Sequence, residues 1–137
     1  MKIRVDILRG DLRRSARMVS EGANRLHSRA GRAILNSLVN GTRVDTGKAV
    51  SNWRVGIGQP TRAEIEAHNP GKKGSTAEEN RQATLVAGLD RISSKTAGQE
   101  IFISNNVSYL KYVPRIDETV DNAMTAGRMA LGSMKVL

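Results

Sequence analysis

Residues 44–60 read VDTGKAVSNWRVGIGQP, and this stretch changes structural type within a few residues. Its turn begins with Asp45 and Thr46, whose side-chain oxygens can accept backbone N–H groups at a helix start. Gly47 follows and permits a tight turn. The same tripeptide occurs in aspartic proteases, but those are nearly all-β enzymes, whereas a long helical pattern precedes it here. We therefore expect a structural turn.

The remainder of this stretch predicts a very short helix that leads into a strand. Residues 47–52 allow at most a turn or two of helix. Residues 53–57 alternate between apolar and other side chains, which is typical of a half-buried strand, and Pro60 ends the alternation. Trp53 is the only tryptophan of the chain. Its place in an apolar alternation favours a core anchor over a ligand platform.

Upstream, the pattern predicts a first strand and then one long helix. Residues 2–8 alternate in polarity, as in a strand with one buried face. Beyond Gly10, apolar side chains recur at steps of three and four from Leu12 to Leu38, and Gly41 suits the C-terminal end of a helix. A helix of this length would measure about 45 Å at 1.5 Å per residue.

Five arginines project from the side of this helix opposite its apolar stripe. Two interpretations remain open: a solvated polar face, or a face turned toward phosphates or an acidic subunit. Guanidinium groups pair with phosphate and carboxylate oxygens through two parallel hydrogen bonds. The possible face for DNA or for an acidic partner consists of Arg14, Arg17, Arg25, Arg29 and Arg32.

Downstream of Pro60, residues 61–75 are predicted to form an extended polar loop, because they show no regular apolar periodicity. Lys72 and Lys73 are expected at its mobile tip, where they could order against a neighbouring subunit or DNA. The stretch from Gly71 to Thr76 superficially resembles a phosphate-binding loop, but the spacing of its glycines is wrong and no buried strand precedes it.

A second helix is predicted from Thr76 to about Ser94. Thr76 and Glu79 have the spacing of a capping box. The residues expected to face the core are Ala83, Leu85, Val86, Leu89 and Ile92.

The last part of the chain predicts a hairpin followed by a helix or arm. Residues 100–104 suit a strand, Asn105 and Asn106 a hairpin turn, and residues 107–113 a partner strand ended by Pro114. Tyr109 and Tyr112 would then lie on opposite faces of that strand. Residues 114–137 carry a loose helical pattern that two glycines weaken.

Together these elements indicate one α+β domain covering residues 1–137. The long N-terminal helix would pack on a small, mostly antiparallel sheet, with a second helix and a C-terminal helix or arm. A parallel βαβ unit remains open. The chain is long enough for one core and has few aromatic residues to fill it, 3% of the total, so we expect an aliphatic core.

Charge and composition indicate an acidic partner and argue against catalysis. The formal net charge is +9, from 22 basic and 13 acidic residues, and residues 1–62 carry all of the excess. Such a field favours nucleic acid or an acidic protein surface. The chain has no cysteine, and His27 and His68 lack neighbours at metal-ligand spacing. We therefore expect no enzyme activity, cofactor, metal site or small-molecule substrate.

No run approaches the roughly 20 apolar residues that span a bilayer, and the charged start differs from a signal peptide. We expect a soluble, unprocessed protein without a membrane partner.

Two motifs and their order resemble those of a viral family. Val44–Gly47 with Trp53, followed later by Ile101–Tyr109 (IFISNNVSY), resembles the small tail-completion or head–tail connector proteins, also called minor tail components, of tailed bacteriophages. That family typically shows V-D-T-G-x-L-x-x-S/N-W and then I-x-I-x-N-N-x-x-Y. The likeness spans about residues 10–113. After Tyr109, residues 110–115 depart from the Glu-x-Gly that often follows in the family.

The resemblance implies a non-catalytic subunit of the virion neck. Such a subunit would be made in the host bacterial cytoplasm and would form a ring at the head–tail junction. Six copies would form a tail terminator, and twelve would form a ring placed against the portal. Its partners would be copies of itself and other neck, portal or tail proteins, with possible non-specific contact to DNA.

The resemblance also divides the residues by role. The residues of the two motifs would hold the fold: Asp45, Thr46, Gly47, Trp53, Asn105, Asn106 and Tyr109. The loop and the C-terminal arm would contact other subunits through Lys72, Lys73 and Arg115. The alternative function is a small basic nucleic-acid-binding protein that contacts phosphates through its arginine-rich helix.

Overall fold

The computed structural model describes residues 1–5 and 20–132. Within them the chain has an α+β fold of four helices and a small antiparallel sheet. In chain order the elements are β1 (Lys2–Val5), α1 (Ser20–Gly41), α2 (Lys48–Ser51), β2 (Arg54–Ile57), α3 (Ala77–Ser93), β3 (Ile101–Ser104), a 3₁₀ helix (Leu110–Tyr112) and α4 (Ile116–Gly132).

The sheet has the strand order β1-β3-β2, and both pairings are antiparallel. Ile103 of β3 lies opposite Ile3 on one side and Val55 on the other. All four residues of β3 are buried, so this central strand is covered on both faces. The antiparallel pairings exclude a parallel βαβ unit among the described strands and confirm the antiparallel sheet that the sequence predicts.

The predicted strand over residues 107–113 is wrong. Both edges of β3 are already occupied by β1 and β2, so a hairpin partner would have no free edge to pair with. The chain instead turns away at Asn105, whose side-chain oxygen accepts the N–H of Val107 at 3.2 Å. The 3₁₀ helix follows, and Tyr109 and Tyr112 are both exposed rather than placed on opposite faces of a strand.

Within the described residues α1 begins at Ser20, whereas the predicted helix begins near Leu12. The structure describes 22 residues, about 33 Å of helix, and residues 12–19 of the prediction lie outside the described residues. The side chains that α1 buries fall between Leu26 and Val39, where the sheet and α4 provide packing partners. The predicted end at Gly41 is confirmed.

Helix α4 lies antiparallel to α1 and approaches it closely at two glycines. A Cβ at Gly41 would lie 2.8 Å from Cγ2 of Thr119, and a Cβ at Gly127 would lie 2.7 Å from Cγ1 of Ile34. The Thr119 hydroxyl also donates to the Gly41 carbonyl at 3.0 Å. The helix predicted in the C-terminal region is therefore present, and Gly127, which weakens its sequence pattern, provides the close contact.

Helix α3 begins and ends near its predicted bounds but buries a different face. Its buried residues are Asn80, Thr84, Gly88 and Ile92. Of the residues predicted to face the core, Ile92 is buried, and Leu85 and Leu89 are partly buried and pack against the core. Val86 is 57% exposed, so the prediction is wrong for this residue. The polar members of the buried face are satisfied locally, because the Thr84 hydroxyl donates to the Asn80 carbonyl at 2.7 Å.

The capping box predicted at the start of α3 does not form. The Thr76 hydroxyl donates to the Asn69 carbonyl at 2.7 Å and makes no cap hydrogen bond to the helix.

Among the described helices, none is long and apolar enough to cross a membrane.

Candidate functional site

An open groove of about 980 Å³ lies between two segments that are distant in sequence. Residues 43–50 form one wall, and Tyr109 with residues 112–114 forms the other, while Lys73 comes from the loop of residues 61–75. The groove therefore joins parts of both sequence motifs that carry the family resemblance.

The first wall is shaped by Gly47 and the short helix α2 that it precedes. Gly47 has a φ of +95°, a backbone conformation that favours glycine. Any side chain there would also collide with the amide group of Asn80. The Thr46 hydroxyl accepts the N–H of Lys48 at 3.3 Å, as predicted for a helix start. Both the turn and its close contact therefore require glycine at position 47.

Asp45 joins the groove wall to the loop of residues 61–75. Its carboxylate accepts the N–H of Lys73 at 2.8 Å, and its backbone carbonyl accepts the N–H of Gly74 at 2.9 Å. The Thr46 carbonyl accepts the N–H of Gly71 at 3.1 Å. The tip predicted to be mobile is thus fastened to the turn, because Asp45 bonds the loop and not the start of α2.

Asn80 binds the same loop from below. Its side chain is fully buried, accepts from the Ser51 hydroxyl at 3.1 Å and from the N–H of Asn69 at 2.8 Å, and donates to the Asn69 carbonyl at 2.7 Å. It also donates to the carbonyl and hydroxyl oxygens of Thr76. One amide group therefore satisfies polar atoms of α2, α3 and the loop together.

A second asparagine pairs with the loop in the manner of a neighbouring strand. The Asn52 side chain donates to the Ile65 carbonyl and accepts the Ile65 N–H, both at 2.8 Å. Backbone groups of a loop without regular structure are thereby satisfied by side chains of the fold. We call Asn52 and Asn80 the asparagine clamp.

The second wall presents two exposed tyrosines. Tyr109 is 39% exposed and Tyr112 is 75% exposed. The ammonium group of Lys111 lies 5.1 Å from the centre of the Tyr112 ring, within the range of a cation–π contact. Arg115 follows the wall with a φ of +60° and is exposed. Aromatic and arginine side chains are enriched at protein contact surfaces.

The cations of the groove differ in their partners. Lys48 pairs with Glu64 and lies 3.7 Å from Glu66, and the hydrogen bond with Glu64 raises the pKa of Lys48 and lowers the pKa of Glu64. Arg43 and Lys73 are exposed, and neither forms an ion pair with a described residue. The groove therefore has one exposed cation on the wall of residues 43–50, Arg43, and one in the loop, Lys73, with the carboxylate of Asp45 on the same wall as Arg43.

The two histidines lie apart and serve other contacts. The Nε2 atom of His27 lies at hydrogen-bond distance from the Val5 carbonyl. The backbone N–H of His68 donates to the Ser51 hydroxyl at 3.1 Å, and burial, with the nearby charge of Arg54, lowers the pKa of the His68 ring. Among the described residues, no group of three or more His, Asp or Glu side chains is placed so that it could hold a metal ion.

The structure brings some predicted residues together and separates others. Asp45, Thr46, Gly47, Lys73 and Tyr109 line the groove. Three members of the arginine face lie outside the groove as exposed side chains of α1, namely Arg25, Arg29 and Arg32. Arg14 and Arg17 lie outside the described residues, and Lys72, although exposed, does not line the groove.

The remaining motif residues form hydrogen bonds to distant parts of the chain. Trp53 is 1% exposed, and its indole N–H donates to the Thr42 hydroxyl at 2.8 Å. Asn105 is fully buried and donates to the Ala49 carbonyl at 2.8 Å, which ties the end of β3 to α2. Asn106 donates to the Thr61 carbonyl at 3.0 Å.

Sequence reasoning missed the asparagine clamp and the exposure of Tyr112. A signal for Asn80 was present, because Asn80, Thr84, Gly88 and Ile92 recur every four residues and so share one face of α3.

Comparisons of this chain with protein-family models, curated proteins and solved structures found no match.

Proposed function

We propose that this chain is a structural subunit of the neck of a tailed bacteriophage. In this role it forms a ring as a tail-completion, tail-terminator or head–tail connector protein and performs no catalysis. It is made in the bacterial cytoplasm and ends at the head–tail junction of the virion. The groove between residues 43–50 and 109–114 is the surface that receives a neighbouring neck, portal or tail protein.

The observation that carries the proposal is the meeting of the two motifs. Asp45, Thr46 and Gly47 come from the first motif and Tyr109 from the second, and all four line one groove. Tyr112 protrudes beside them with three quarters of its surface exposed. Aromatic and arginine side chains dominate the energetics of protein–protein contacts, so this wall suits a docking role.

The test is a deletion of the gene in the phage or prophage that encodes it. Electron microscopy of the lysate should show filled heads apart from tails, or tails of uncontrolled length. Complementation with the Tyr112→Ser variant should give fewer joined particles. The control is Val86→Ser, because Val86 is also an exposed side chain but lies on α3, away from the groove. Complementation with this control should restore normal numbers of joined particles. Normal infectious particles from the deletion would overturn the proposal.

A second candidate function is phosphate-backbone binding by a small basic protein. It is favoured by the net charge of +9 and by the exposed Arg25, Arg29 and Arg32, none of which pairs with a described carboxylate. Binding of DNA by the free protein, with an affinity that falls steeply as salt rises, would favour this function. Negligible binding by the free protein would favour the neck subunit.

A further inference from the structure

The paired helices α1 and α4 carry opposite charges at opposite ends. Because Gly41 contacts Thr119 and Gly127 contacts Ile34, the two helices run antiparallel. We define the arginine row as Arg25, Arg29 and Arg32. Their spacing of four and three residues places them on one face of the first half of α1, and all three are exposed.

The opposite end of the helix pair carries carboxylates. We define the carboxylate row as Asp117, Glu118 and Asp121, which lie in the first two turns of α4 and are exposed. Arg128 is exposed further along α4, toward the end of the pair that holds the arginine row. The charge difference therefore runs along both helices.

The two rows do not meet within one copy. Arg29 lies twelve residues before Gly41, about 18 Å along the helix axis, whereas the carboxylate row lies beside Gly41. Between two described residues, the ion pairs are those of Lys48 with Glu64 and Glu66. Arg115, two residues before the carboxylate row, forms none with it. Both rows are therefore free to pair with another molecule.

We propose that the arginine row docks a second copy of this chain through that copy's carboxylate row. This inference rests on the proposed function, in which copies form a ring, and it identifies the surfaces that would join them. Contact between two different patches of the same chain is a head-to-tail contact, which closes into a ring when the rotation between copies permits.

Charge complementarity makes carboxylates the fitting partner of the row. Guanidinium groups bind carboxylates through two parallel hydrogen bonds, and the two rows supply three groups of each kind. DNA would also supply anions, but it would leave the carboxylate row without a role. A second copy satisfies both rows with one contact, repeated around the ring.

The test reverses each row and measures self-association by analytical ultracentrifugation at several salt concentrations. One variant carries Arg25→Glu, Arg29→Glu and Arg32→Glu, and the other carries Asp117→Lys, Glu118→Lys and Asp121→Lys. Each variant alone should associate at least about tenfold more weakly than the wild type, because like charges then face each other. The wild-type association should itself weaken as salt rises.

An equimolar mixture of the two variants provides the decisive control. The first variant has two acidic rows and the second has two basic rows, so complementary contacts exist only between unlike variants. The mixture should regain the wild-type association, with the two variants alternating around the assembly. Loss of folding cannot imitate this result, because an unfolded variant would not be rescued by its partner.

Cysteine cross-linking tests the same contact without reversing any charge row. The natural chain contains no cysteine, so Arg29→Cys combined with Asp121→Cys in one chain should give disulfide-linked dimers and longer ladders on oxidation. The matched control combines Val86→Cys with Asp121→Cys and should give no disulfide-linked dimers or ladders, because Val86 is exposed on α3 outside both rows.

Several results would overturn the inference, and they can be told apart. Association of both reversed variants at wild-type strength would reject this contact. It would not reject the neck function, which is tested separately by the particles that the deletion phage forms. A wild-type chain that neither associates nor cross-links would reject self-docking. Loss of DNA binding in the arginine variant alone, with unchanged self-association, would assign the arginine row to nucleic acid.

Discussion

The loop of residues 61–75 and the helix pair of α1 and α4 are held to the molecule by different chemistry. The helices approach each other because Gly41 and Gly127 have no side chain at the contact. The loop is held by polar groups, chiefly the asparagine clamp and Asp45. An irregular loop can therefore have its backbone groups satisfied when side chains replace the missing backbone partners.

The largest expected effect is at Asn80, and it tests the polar side of this comparison. Asn80→Ala leaves the Ser51 hydroxyl without its acceptor and the Asn69 N–H unpaired. An unsatisfied buried group costs about 1–3 kcal/mol, and the Asn69 N–H is only partly buried, so we expect a loss of about 2–3 kcal/mol in the free energy of unfolding. Chemical denaturation measures this loss, and limited proteolysis should show faster cleavage within residues 61–75.

Asn36→Ala is the matched control for that substitution. Asn36 also donates to a carbonyl four residues earlier in its helix, that of Arg32 at 3.0 Å, but this hydrogen bond is exposed. The control should change stability by less than about 0.5 kcal/mol. Similar losses in the two variants would show that the clamp contributes no more than an ordinary surface hydrogen bond.

The next effect concerns the close approach of the helices. Gly127→Ala gains about 1 kcal/mol of helix propensity, but its Cβ would lie 2.7 Å from Cγ1 of Ile34, and such overpacking costs about 1–3 kcal/mol. We expect a net destabilisation of about 1 kcal/mol, measured by denaturation.

The sign of this effect should reverse when Ile34 is truncated. Ile34→Ala removes the atoms that Cβ would meet and leaves a cavity, so Gly127→Ala in that background should stabilise the protein. A double-mutant cycle measures the coupling between the two positions. Additive effects would mean that helix propensity alone, rather than close packing, decides which residue suits position 127.

The third effect is a pH dependence at Lys95, between α3 and β3. Lys95 is 6% exposed, its ammonium group donates to the Asn24 side chain, and burial lowers its pKa below the ordinary 10.5. Since the unfolded chain then binds the proton more tightly, this group destabilises the fold at neutral pH, and its penalty falls as pH rises through the folded pKa toward 10.5.

Lys95→Met removes the charge and keeps an unbranched side chain of similar size. We expect the stability advantage of this variant over the wild type, measured by denaturation at a series of pH values, to be largest near pH 7 and to shrink toward pH 10. An advantage that stays constant over that range would contradict a titrating Lys95 and indicate a difference in packing.

The sequence predicts well those elements whose buried side chains recur with a regular period. The apolar steps of α1 and the alternation around Val55 and Ile103 predict a helix and two strands, because each burial recurs along one face. Trp53 and Gly47 were assigned correctly for a related reason, since residue type alone restricts where they fit.

The failures share another physical cause, which is competition from distant parts of the chain. Residues 107–113 have strand composition, but β1 and β2 occupy both edges of β3 before they could pair. Thr76 has the spacing of a capping box, but its hydroxyl bonds the Asn69 carbonyl instead. The groove likewise depends on segments about 60 residues apart, which no local pattern brings together.

The smallest expected effect is at the ion pair that also joins the loop to α2. Glu64→Gln removes the carboxylate that pairs with Lys48, so the raised pKa of Lys48 should return toward 10.5, as NMR titration can show. Because Glu64 has a lowered folded pKa, its contribution exists above the unfolded value of 4.5 and disappears as pH falls through the folded pKa.

Both side chains of this pair are partly exposed, so its contribution to stability should be slight and should vanish near 1 M salt. Glu66→Gln is the control, because Glu66 lies 3.7 Å from Lys48 and is 88% exposed, and it should change stability even less. If Glu64→Gln instead released the loop to proteolysis as fully as Asn80→Ala, surface charge rather than the asparagine clamp would hold residues 61–75. The loop would then differ from the packed helix pair through the ion pair of Lys48, and not through the asparagine clamp.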